Sequence, residues 1–491
     1  MSGNNERLND GFIEVIRDEK IPSKVRLKKA KYLVRLGADV NAMLYGRSAV
    51  SWAKETGDEE MVEFLREKGG KFKEITKEEA KRLAEELENA IDEGKTISEI
   101  ETLIRNGADL EARNDKGWTI LMRAARNGHK EVVKILLDNG ANIEAKDLEG
   151  KTALMLASCL EREEVVKLLI GKGADLEARD ILGDTALLKV AFYGNDKMFK
   201  LLLDMGADLD ARNDRGRHSL AIAAKEGQKV IVDMLLDMGV DVNMRDKAGK
   251  TALIEGASYY LYRDSKIVEA LLEKGADVNV QADNGMTALM YASSKGSIEI
   301  VKKLVEKGGE LNFRDDKGRN ALMYAGINRH IKILKLLLEK GADLDVKDDE
   351  GKTLLMHAAN NGHLEIVDEL VKNGVDLDEQ DNDGKTALMW ASLRGYMDIM
   401  KILLDGGADV NLQDDKGWSA LMMVANRSIR VLEAKLLIKY GADLGLKSVT
   451  DKTALKLAKE NDNWDMVEIL SKAKLKRFVK NIFVGGKGER K

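Results

Sequence analysis

Apolar residues along much of this chain form pairs of short stripes with helical spacing, separated by polar turns. In one first stripe, Leu289, Ala292 and Ser293 stand at i, i+3 and i+4, which predicts a short helix with one buried face. A second stripe, in a later pair, contains Ile366 and Leu370. Neither kind of helix covers its own apolar face, so we expect helix pairs that stack on their neighbours.

The pattern has a fixed period. Glycine recurs every 33 residues in one long stretch, at positions 285, 318, 351, 384 and 417, and the residues around it recur as well. A fixed period of this size is typical of small stacked units rather than of one globular core.

Turn and cap residues occur at the same places in each unit. An acidic residue three positions before the glycine, such as Asp315, favours a turn, and the glycine permits a tight backbone there. Thr287 and Thr353 are placed to cap the first helix by accepting a backbone N–H. Gly374 is placed to end a second helix.

Segments of this stretch resemble the ankyrin repeat, among them DNGMTALMYASSKGSIEIVKKL and NDGKTALMWASLRGYMDIMKIL. The resemblance covers nearly the whole chain and is weakest before Gly107. It implies a mainly α fold, an ankyrin-repeat α-solenoid of about 14 helix–turn–helix pairs joined by short β-hairpin connections. It also implies that hairpin tips and first helices are the parts that contact a partner.

Changes in the rhythm divide the chain into parts. Residues 71–96 carry an apolar stripe longer than the repeat needs, and three extra residues appear between Gly249 and Gly285. We expect degenerate repeats at 1–70, an irregular repeat with a long helix at 71–112, repeats with an aromatic insertion (258–264) at 113–281, regular repeats at 282–447, a capping repeat at 448–473 and a basic amphipathic tail at 474–491.

Composition agrees with a repeat array and narrows the function classes. The 491 residues are too many for one core, yet they include only one proline from which linkers could be made. The formal net charge of −5 does not favour bulk nucleic-acid binding. The only cysteine, Cys159, excludes an intramolecular disulfide framework and fits a reducing compartment. No apolar run is long enough to span a membrane, and residues 1–10 are polar, so we expect a cytoplasmic protein.

Residues that could carry chemistry are sparse. Where ankyrin repeats commonly place a histidine, this chain usually has methionine, which we interpret as core packing, with metal or partner binding as the alternative. These positions are Met122, Met155, Met290, Met323, Met356, Met389 and Met422. The five histidines fall in different units, and none has a carboxylate or cysteine at metal-ligand spacing. We therefore predict no catalytic residues, no metal and no cofactor.

One position on the first helix varies between units while the frame stays constant. It directly follows the methionine, about 200° around the helix axis from the buried leucine, so we expect it to point away from the stack. Successive units place Tyr291, Tyr324, His357, Trp390 and Met423 there. A partly exposed aromatic row suits a binding hot spot, although the rings could instead only pack on one another.

Hairpin tips supply a second variable surface. The residue after the turn glycine is tryptophan at Trp118 and Trp418, and we include both in the predicted partner-binding site. The insertion carries Tyr259, Tyr260 and Tyr262 beside the start of the aromatic row. Tyrosine offers a large contact area at a small cost in rotamer entropy, so this loop is included as well.

The C-terminal tail permits two interpretations. Leu475, Phe478, Val479, Ile482 and Phe483 have helical spacing among many lysines. A helix that covers the open end of the stack is the first interpretation. The second is a basic helix that contacts a nucleic acid, an anionic membrane or a partner.

Three functions remain open from the sequence. The first is a protein–protein interaction scaffold or inhibitor that binds a folded partner in a concave groove and acts by recruitment or occlusion. The second is homo-oligomeric assembly through the same surfaces. The third is small-ligand or nucleotide capture by the aromatic groove. The architecture alone does not choose among pathways.

Overall fold

A computed structural model describes residues 2–71, 74–258, 265–427 and 430–485, and the side chains of residues 8–71, 74–258, 265–427 and 430–476. Within these ranges the chain forms 28 helices, which follow one another as 14 pairs. The prediction of a mainly α solenoid of about 14 helix pairs is confirmed. Two compact units result, Met1–Ser219 and Leu220–Lys491.

The first unit contains twelve helices and one short hairpin in its described part. Its elements are α1 (Ser2–Arg17), α2 (Ser23–Arg35), β1 (Met43–Leu44), β2 (Arg47–Ser48), α3 (Ala49–Glu55), α4 (Glu59–Glu67), α5 (Lys77–Asp92), α6 (Ile97–Arg105), α7 (Ile120–Asn127), α8 (Lys130–Asp138), α9 (Ala153–Cys159), α10 (Glu163–Gly171), α11 (Ala186–Tyr193) and α12 (Asp196–Asp204).

The second unit contains the remaining helices, the first of which begins one residue before the unit boundary. They are α13 (Ser219–Lys225), α14 (Lys229–Asp237), α15 (Ala252–Ser258), α16 (Lys266–Glu273), α17 (Ala288–Lys295), α18 (Ile298–Glu306), α19 (Ala321–Ile327), α20 (Ile331–Glu339), α21 (Leu354–Asn361), α22 (Leu364–Lys372), α23 (Ala387–Arg394), α24 (Met397–Asp405), α25 (Ala420–Ala425), α26 (Val431–Lys439), α27 (Ala454–Glu460) and α28 (Trp464–Gly485).

The predicted caps set the ends of the first helices. In α23 the hydroxyl of Thr386 accepts the backbone N–H of Met389 at 3.3 Å, which satisfies one of the free donors at the helix N-terminus. The helix ends at Gly395, whose φ of +76° is left-handed and suits glycine. Thr287 and Thr353 cap α17 and α21 in the same way, so these predicted caps are confirmed.

Tight turns join each pair to the next. In one turn the backbone N–H of Asp381 donates to the carbonyl of Lys385, and the Asp381 carboxylate accepts backbone N–H groups of Asp383 and Lys385. Adjacent turns are also linked, because Asp415 N–H donates to the Asp383 carbonyl at 3.0 Å. Of the expected β-hairpins, only β1 and β2 form paired strands in the described chain, with Met43 opposite Ser48. The tight turns between the other helix pairs are called hairpins below.

The core of each unit lies between successive helix pairs. The first helices of neighbouring pairs contact each other: α7 contacts α9, and α21 contacts α23. The methionine row is buried, which supports the core-packing interpretation because each thioether fills space between neighbouring helices. Its members are Met122, Met155, Met290, Met323, Met356, Met389 and Met422.

Four of the described helices are longer than the others, and the first two, α1 and α2, have 16 and 13 residues. Helix α5 has 16 residues and begins with a capping box formed by Thr76 and Glu79. Helix α28 has 22 residues, and its N-terminal part packs on α27 and α26. None of the helices in the described part of the chain combines the length and the apolar character needed to cross a bilayer.

Candidate partner-binding surface

On three neighbouring first helices, the residue that follows the buried methionine reaches back to the turn of its own repeat. Tyr324 O–H donates to Asp315 Oδ2 at 2.5 Å, and Trp390 Nε1–H donates to Asp381 Oδ2 at 2.9 Å. Each aspartate precedes its partner by nine residues and is buried, whereas the rings are half-buried. These rings therefore present part of their surface to solvent while their polar atoms are used inside the repeat.

His357 makes the third contact of this kind. Its Nε2 lies 2.7 Å from Asp348 Oδ2, and since a carboxylate can only accept, this nitrogen carries the proton. Burial lowers the pKa of His357 below its ordinary value, and this effect outweighs the opposite influence of Asp348. The imidazole is therefore neutral near pH 7.

Asp348 stays ionised for a different set of reasons. Burial alone would raise its pKa, but the hydrogen bonds from His357 and from the backbone N–H groups of Lys352 and Glu350 bring the pKa below its usual value. Arg319, from the preceding repeat, brings Nη2 to 3.6 Å from the same carboxylate. Asp348 is thus an acceptor shared between two neighbouring repeats.

Trp390 also receives cations on its ring. The ammonium groups of Lys352 and Lys385 lie 4.7 and 5.4 Å from the ring centroid, within the range of cation–π attraction. Both lysines directly follow a turn glycine, Lys352 in the preceding repeat and Lys385 in the same one. The ring is therefore held between two hairpins.

Tyr291 differs because its repeat has Ala282 where the others have the turn aspartate. Its hydroxyl accepts a hydrogen bond from the Asn284 side-chain amide at 3.2 Å instead. Lys250 of the preceding repeat lies 4.7 Å from the ring centroid. This ring is half-buried, and of the two groups that contact it, Asn284 is exposed and Lys250 is half-buried.

Met423 does not belong to an exposed row. Only 2% of its surface is accessible, so the expectation that this position points away from the stack is wrong for Met423. A thioether has no N–H or O–H to donate to the turn carboxylate of Asp414, and a flexible apolar side chain gains more by packing inward.

The two hairpin tryptophans have different surroundings, although both are half-buried. Trp118 Nε1–H donates to Asp147 Oδ2 of the next repeat at 3.0 Å. Lys116 and Arg126 lie 4.9 and 5.3 Å from its ring centroid. Trp118 therefore links two repeats and is covered by two cations.

The indole N–H of Trp418 has no acceptor among the described residues. The next repeat has Ser448 in the place of the turn aspartate, and the Ser448 hydroxyl is hydrogen-bonded to that of Thr450 at 3.0 Å. No carboxylate is therefore available at this turn position. Of the two predicted tryptophans, only Trp118 uses its indole N–H in a hydrogen bond among the described residues.

The tyrosine insertion cannot be placed on this surface. Tyr259, Tyr260 and Tyr262 lie outside the described residues. Their membership of the site stays a prediction.

Comparison with known families decides what kind of array this is. The family described as Ankyrin repeats (3 copies) matches residues 87–180, 179–246, 256–348, 341–414 and 395–478. This chain belongs to the ankyrin repeat family. Ankyrin repeats are general protein–protein interaction modules. No curated protein matches the chain.

Among the described side chains of the first unit of this ankyrin array, the most exposed apolar ones lie where the sequence analysis did not place the site. Leu148 is 72% exposed and Ile181 65% exposed. They occupy the tips of adjacent hairpins, joined by a 3.0 Å hydrogen bond from Ile181 N–H to the Glu149 carbonyl. Leu182, the next residue at the second tip, is also exposed. We call Leu148, Ile181 and Leu182 the apolar tips.

A sequence signal for the apolar tips did exist. The two residues between the turn Asp or Asn and the glycine are polar or charged in most repeats of this array, for example Asp316 and Lys317. They are apolar at Leu148 and at both Ile181 and Leu182. The predicted site used the residue after the glycine, so it did not include the apolar residues before it.

An exposed aromatic pair stands at the end of α11 in the same repeat as Ile181. Phe192 and Tyr193 form an edge-to-face pair with ring centroids 5.2 Å apart, and both rings are exposed. Aromatic side chains of this kind are enriched at protein interfaces. Phe192 and Tyr193 are therefore more exposed than the half-buried rings of the predicted row.

The ankyrin array offers little for covalent or metal chemistry in its described part. Among those residues no group of three or more His, Cys, Asp or Glu side chains is arranged to hold a metal ion. Burial raises the pKa of the Cys159 thiol to about 11. The nearby Lys189 ammonium pairs with Asp180 at 2.5 Å, in the same helix–turn geometry as His357 with Asp348.

Proposed function

We propose that this ankyrin array is a protein–protein interaction scaffold or inhibitor that binds a folded partner through its hairpin tips and the first-helix groove. Its mechanism would be recruitment of the partner or occlusion of the partner's surface. The observation that carries the proposal is the row of apolar tips, since adjacent hairpins expose Leu148, Ile181 and Leu182 to water. Water-exposed apolar groups in adjacent positions favour association with another protein surface.

The half-buried rings Tyr291, Tyr324, His357 and Trp390 would form the second contact area. Three of the four have their polar atoms engaged with a turn carboxylate, so a partner would contact ring faces and edges rather than compete for these hydrogen bonds. Rigid rings lose little entropy on binding. The same engagement weakens the case for small-ligand or nucleotide capture, which would need free polar groups in the groove.

We propose a non-catalytic role in the cytoplasm. The thiol of Cys159 is the only one in the sequence, and its raised pKa disfavours the thiolate that nucleophilic catalysis requires. A lone, partly buried cysteine also fits a reducing compartment. Fractionation of the native cell would test the location.

Affinity capture from the native cell tests the function if it compares three forms of the chain. The first is wild type, the second replaces Leu148 and Ile181 by Asp, and the third replaces only Val449 by Asp. Val449 is a matched control because it is an exposed apolar residue at the equivalent hairpin position in the second unit.

We expect at least one protein to be captured by wild type and by the Val449→Asp form, and to be lost from the double variant. Circular dichroism of all three forms should be the same, since the substituted side chains are exposed. Equal recovery of every captured protein by all three forms would contradict the proposal.

A further inference from the structure

The outer side of the last two helix pairs contains a groove between second helices. The cavity has a volume of about 970 Å³ and is lined by α26 and by the start of α28, with Met397 of α24 at one side. Trp464 is 65% exposed and Leu432 is 59% exposed. Large apolar side chains of this kind, placed together in a groove, are what an amphipathic helix covers in a helix-in-groove complex.

The charged lining of the groove has more acidic than basic residues, with Glu433, Asp462, Asp465 and Glu468 against Lys435 and Lys472. Glu433, Asp462 and Asp465 line it and are in no ion pair among the described residues. Glu468 is paired with Lys472 on the same helix. An occupant of this groove should therefore combine apolar side chains with positive charge.

The chain itself contains a segment of that chemistry. Residues 474–491 include seven basic residues and one acidic residue, together with Phe478, Val479, Ile482 and Phe483. Lys474, Leu475 and Lys476, the described start of this segment, are exposed. Leu475 follows Trp464 by 11 residues, about three helical turns, so the two side chains stand on one face of α28.

The segment of one molecule cannot cover the Trp464 end of its own groove. Helix α28 continues to Gly485, and a helix places its residues 464 and 485 about 31 Å apart. The six residues after Gly485 span at most about 22 Å when fully extended. They cannot return to Trp464, so the occupant of that end has to come from another molecule.

We propose that two copies of this chain associate through antiparallel pairing of their α28 helices, with residues 474–491 of each copy in the acidic groove of the other. Helix α28 has Asp465 and Glu468 in its first part and a mostly basic sequence from Lys472 onward. An antiparallel pair places the acidic part of one helix beside the basic part of its partner in both directions. The arrangement is therefore self-complementary and closes as a twofold dimer.

This dimer does not rest on the proposed function, because it is argued from the second helices α26 and α28 and from none of the apolar tips. It also assigns one partner to the basic tail, another copy of this chain. A nucleic acid or an anionic membrane is the competing occupant.

Sedimentation velocity of the full chain over a range of concentrations and salt tests the dimer. One variant carries Asp465→Lys and Glu468→Lys, a second carries Lys474→Glu and Lys476→Glu, and a third carries all four changes. Leu364→Ser is the matched control, an exposed apolar residue on the second helix α22.

We expect wild type and Leu364→Ser to sediment as a dimer that weakens at high salt. Each double reversal should raise the dimer dissociation constant by about tenfold or more, and the fourfold variant should recover most of the loss because the charges match again. All variants should keep wild-type circular dichroism, since the changed residues are exposed.

A wild-type chain that stays monomeric at all concentrations would overturn the proposal. So would a dimer that neither double reversal weakens, or a fourfold variant no better than the double variants. Binding of the tail to nucleic acid or to anionic vesicles without any dimer would assign the basic segment to the competing occupant instead.

Discussion

His357 Nε2 lies 2.7 Å from Asp348 Oδ2, nine residues back along the chain, and so fastens a first helix to the turn that precedes it. Tyr324 with Asp315 and Trp390 with Asp381 repeat the same geometry with different donors. A phenol, an imidazole and an indole can alternate at this position because each offers one N–H or O–H at the edge of a planar ring. The variable residue is thus part of the structure of its repeat as well as of its surface.

Acid should weaken the array in part through His357. Because its pKa in the folded chain is lower than the model-peptide value of 6.5, the unfolded chain binds more protons as pH falls below about 6.5. The stability contributed by neutral His357 is therefore present above that pH and declines as pH falls toward the folded pKa. The pKa of Asp348 is also lowered, which adds a further loss below about pH 3.9.

Two measurements check this prediction. An NMR titration of the His357 ring should give a pKa below 6.5, and the thermal midpoint of His357→Gln should depend less on pH between 7 and 5 than that of wild type. His363, whose pKa burial also lowers, remains in the variant and should leave a residual slope. A His357 pKa above 6.5 would reverse the sign of the effect and contradict the account.

Removing the hydroxyl group should lower the local stability more at Tyr324 than at Tyr291. Tyr324→Phe removes the donor to buried Asp315 and should cost about 1.5 to 3 kcal/mol locally, the range for a hydrogen bond to a charged group. Tyr291→Phe removes only a contact with the exposed Asn284 amide and should cost well under about 1 kcal/mol. Hydrogen exchange of the backbone amides around each tyrosine measures both.

Both substitutions remove one tyrosine hydroxyl group, so the difference between them measures the contribution of the hydrogen bond to the Asp315 carboxylate. Exchange should become faster between residues 315 and 324 in Tyr324→Phe and change little in Tyr291→Phe. Equal effects at both sites would show that the Asp315 contact contributes no more than an exposed hydrogen bond.

Glycines with a left-handed backbone differ in what surrounds them, and alanine substitution should reveal the difference in stability. Gly285 lies in a hairpin turn, whereas Gly275 follows the end of α16. Gly285 has φ of +73°, and an added Cβ would lie 2.7 Å from Asp315 Cα in the next hairpin. Gly275 has φ of +87° but nothing within 4 Å of an added Cβ. Gly275→Ala should therefore cost only the left-handed strain of about 1 to 2 kcal/mol.

Gly285→Ala should cost clearly more, since backbone atoms of two hairpins must move apart in addition to the strain. Urea unfolding followed by circular dichroism gives the comparison, with the earliest transition taken because a long array need not unfold in one step. If both variants unfold at the same urea concentration, the close approach of adjacent hairpins is not a source of stability.

The repeat frame could be predicted from the sequence because its determinants are local. Thr386 caps α23 and Gly395 ends it through contacts within a few residues, and the apolar stripes directly define buried faces. The stacking of the helix pairs into a solenoid was inferred from the family resemblance. These parts need no knowledge of distant neighbours.

The surface was harder to predict because its residues depend on contacts across a turn or between repeats. Helical spacing correctly placed Trp390 outside the core, but the nine-residue link to Asp381 appears only once the turn is folded. The same reasoning failed at Met423, which has no donor and packs inward. Leu148 and Ile181 do differ from the polar residues at this position in most repeats, but their exposure at the folded turns is seen only in the structure.

Site-specific photo-crosslinking in the native cell tests the central claim most directly. A photoreactive phenylalanine analogue is placed at position 181, among the apolar tips, or at position 449, the matched hairpin position of the second unit. The account predicts a covalent adduct with a different protein from position 181 and none, or a much weaker one, from position 449. Adducts of equal yield from both positions, or none from position 181 at any expression level, would contradict the claim that the apolar tips bind a protein partner.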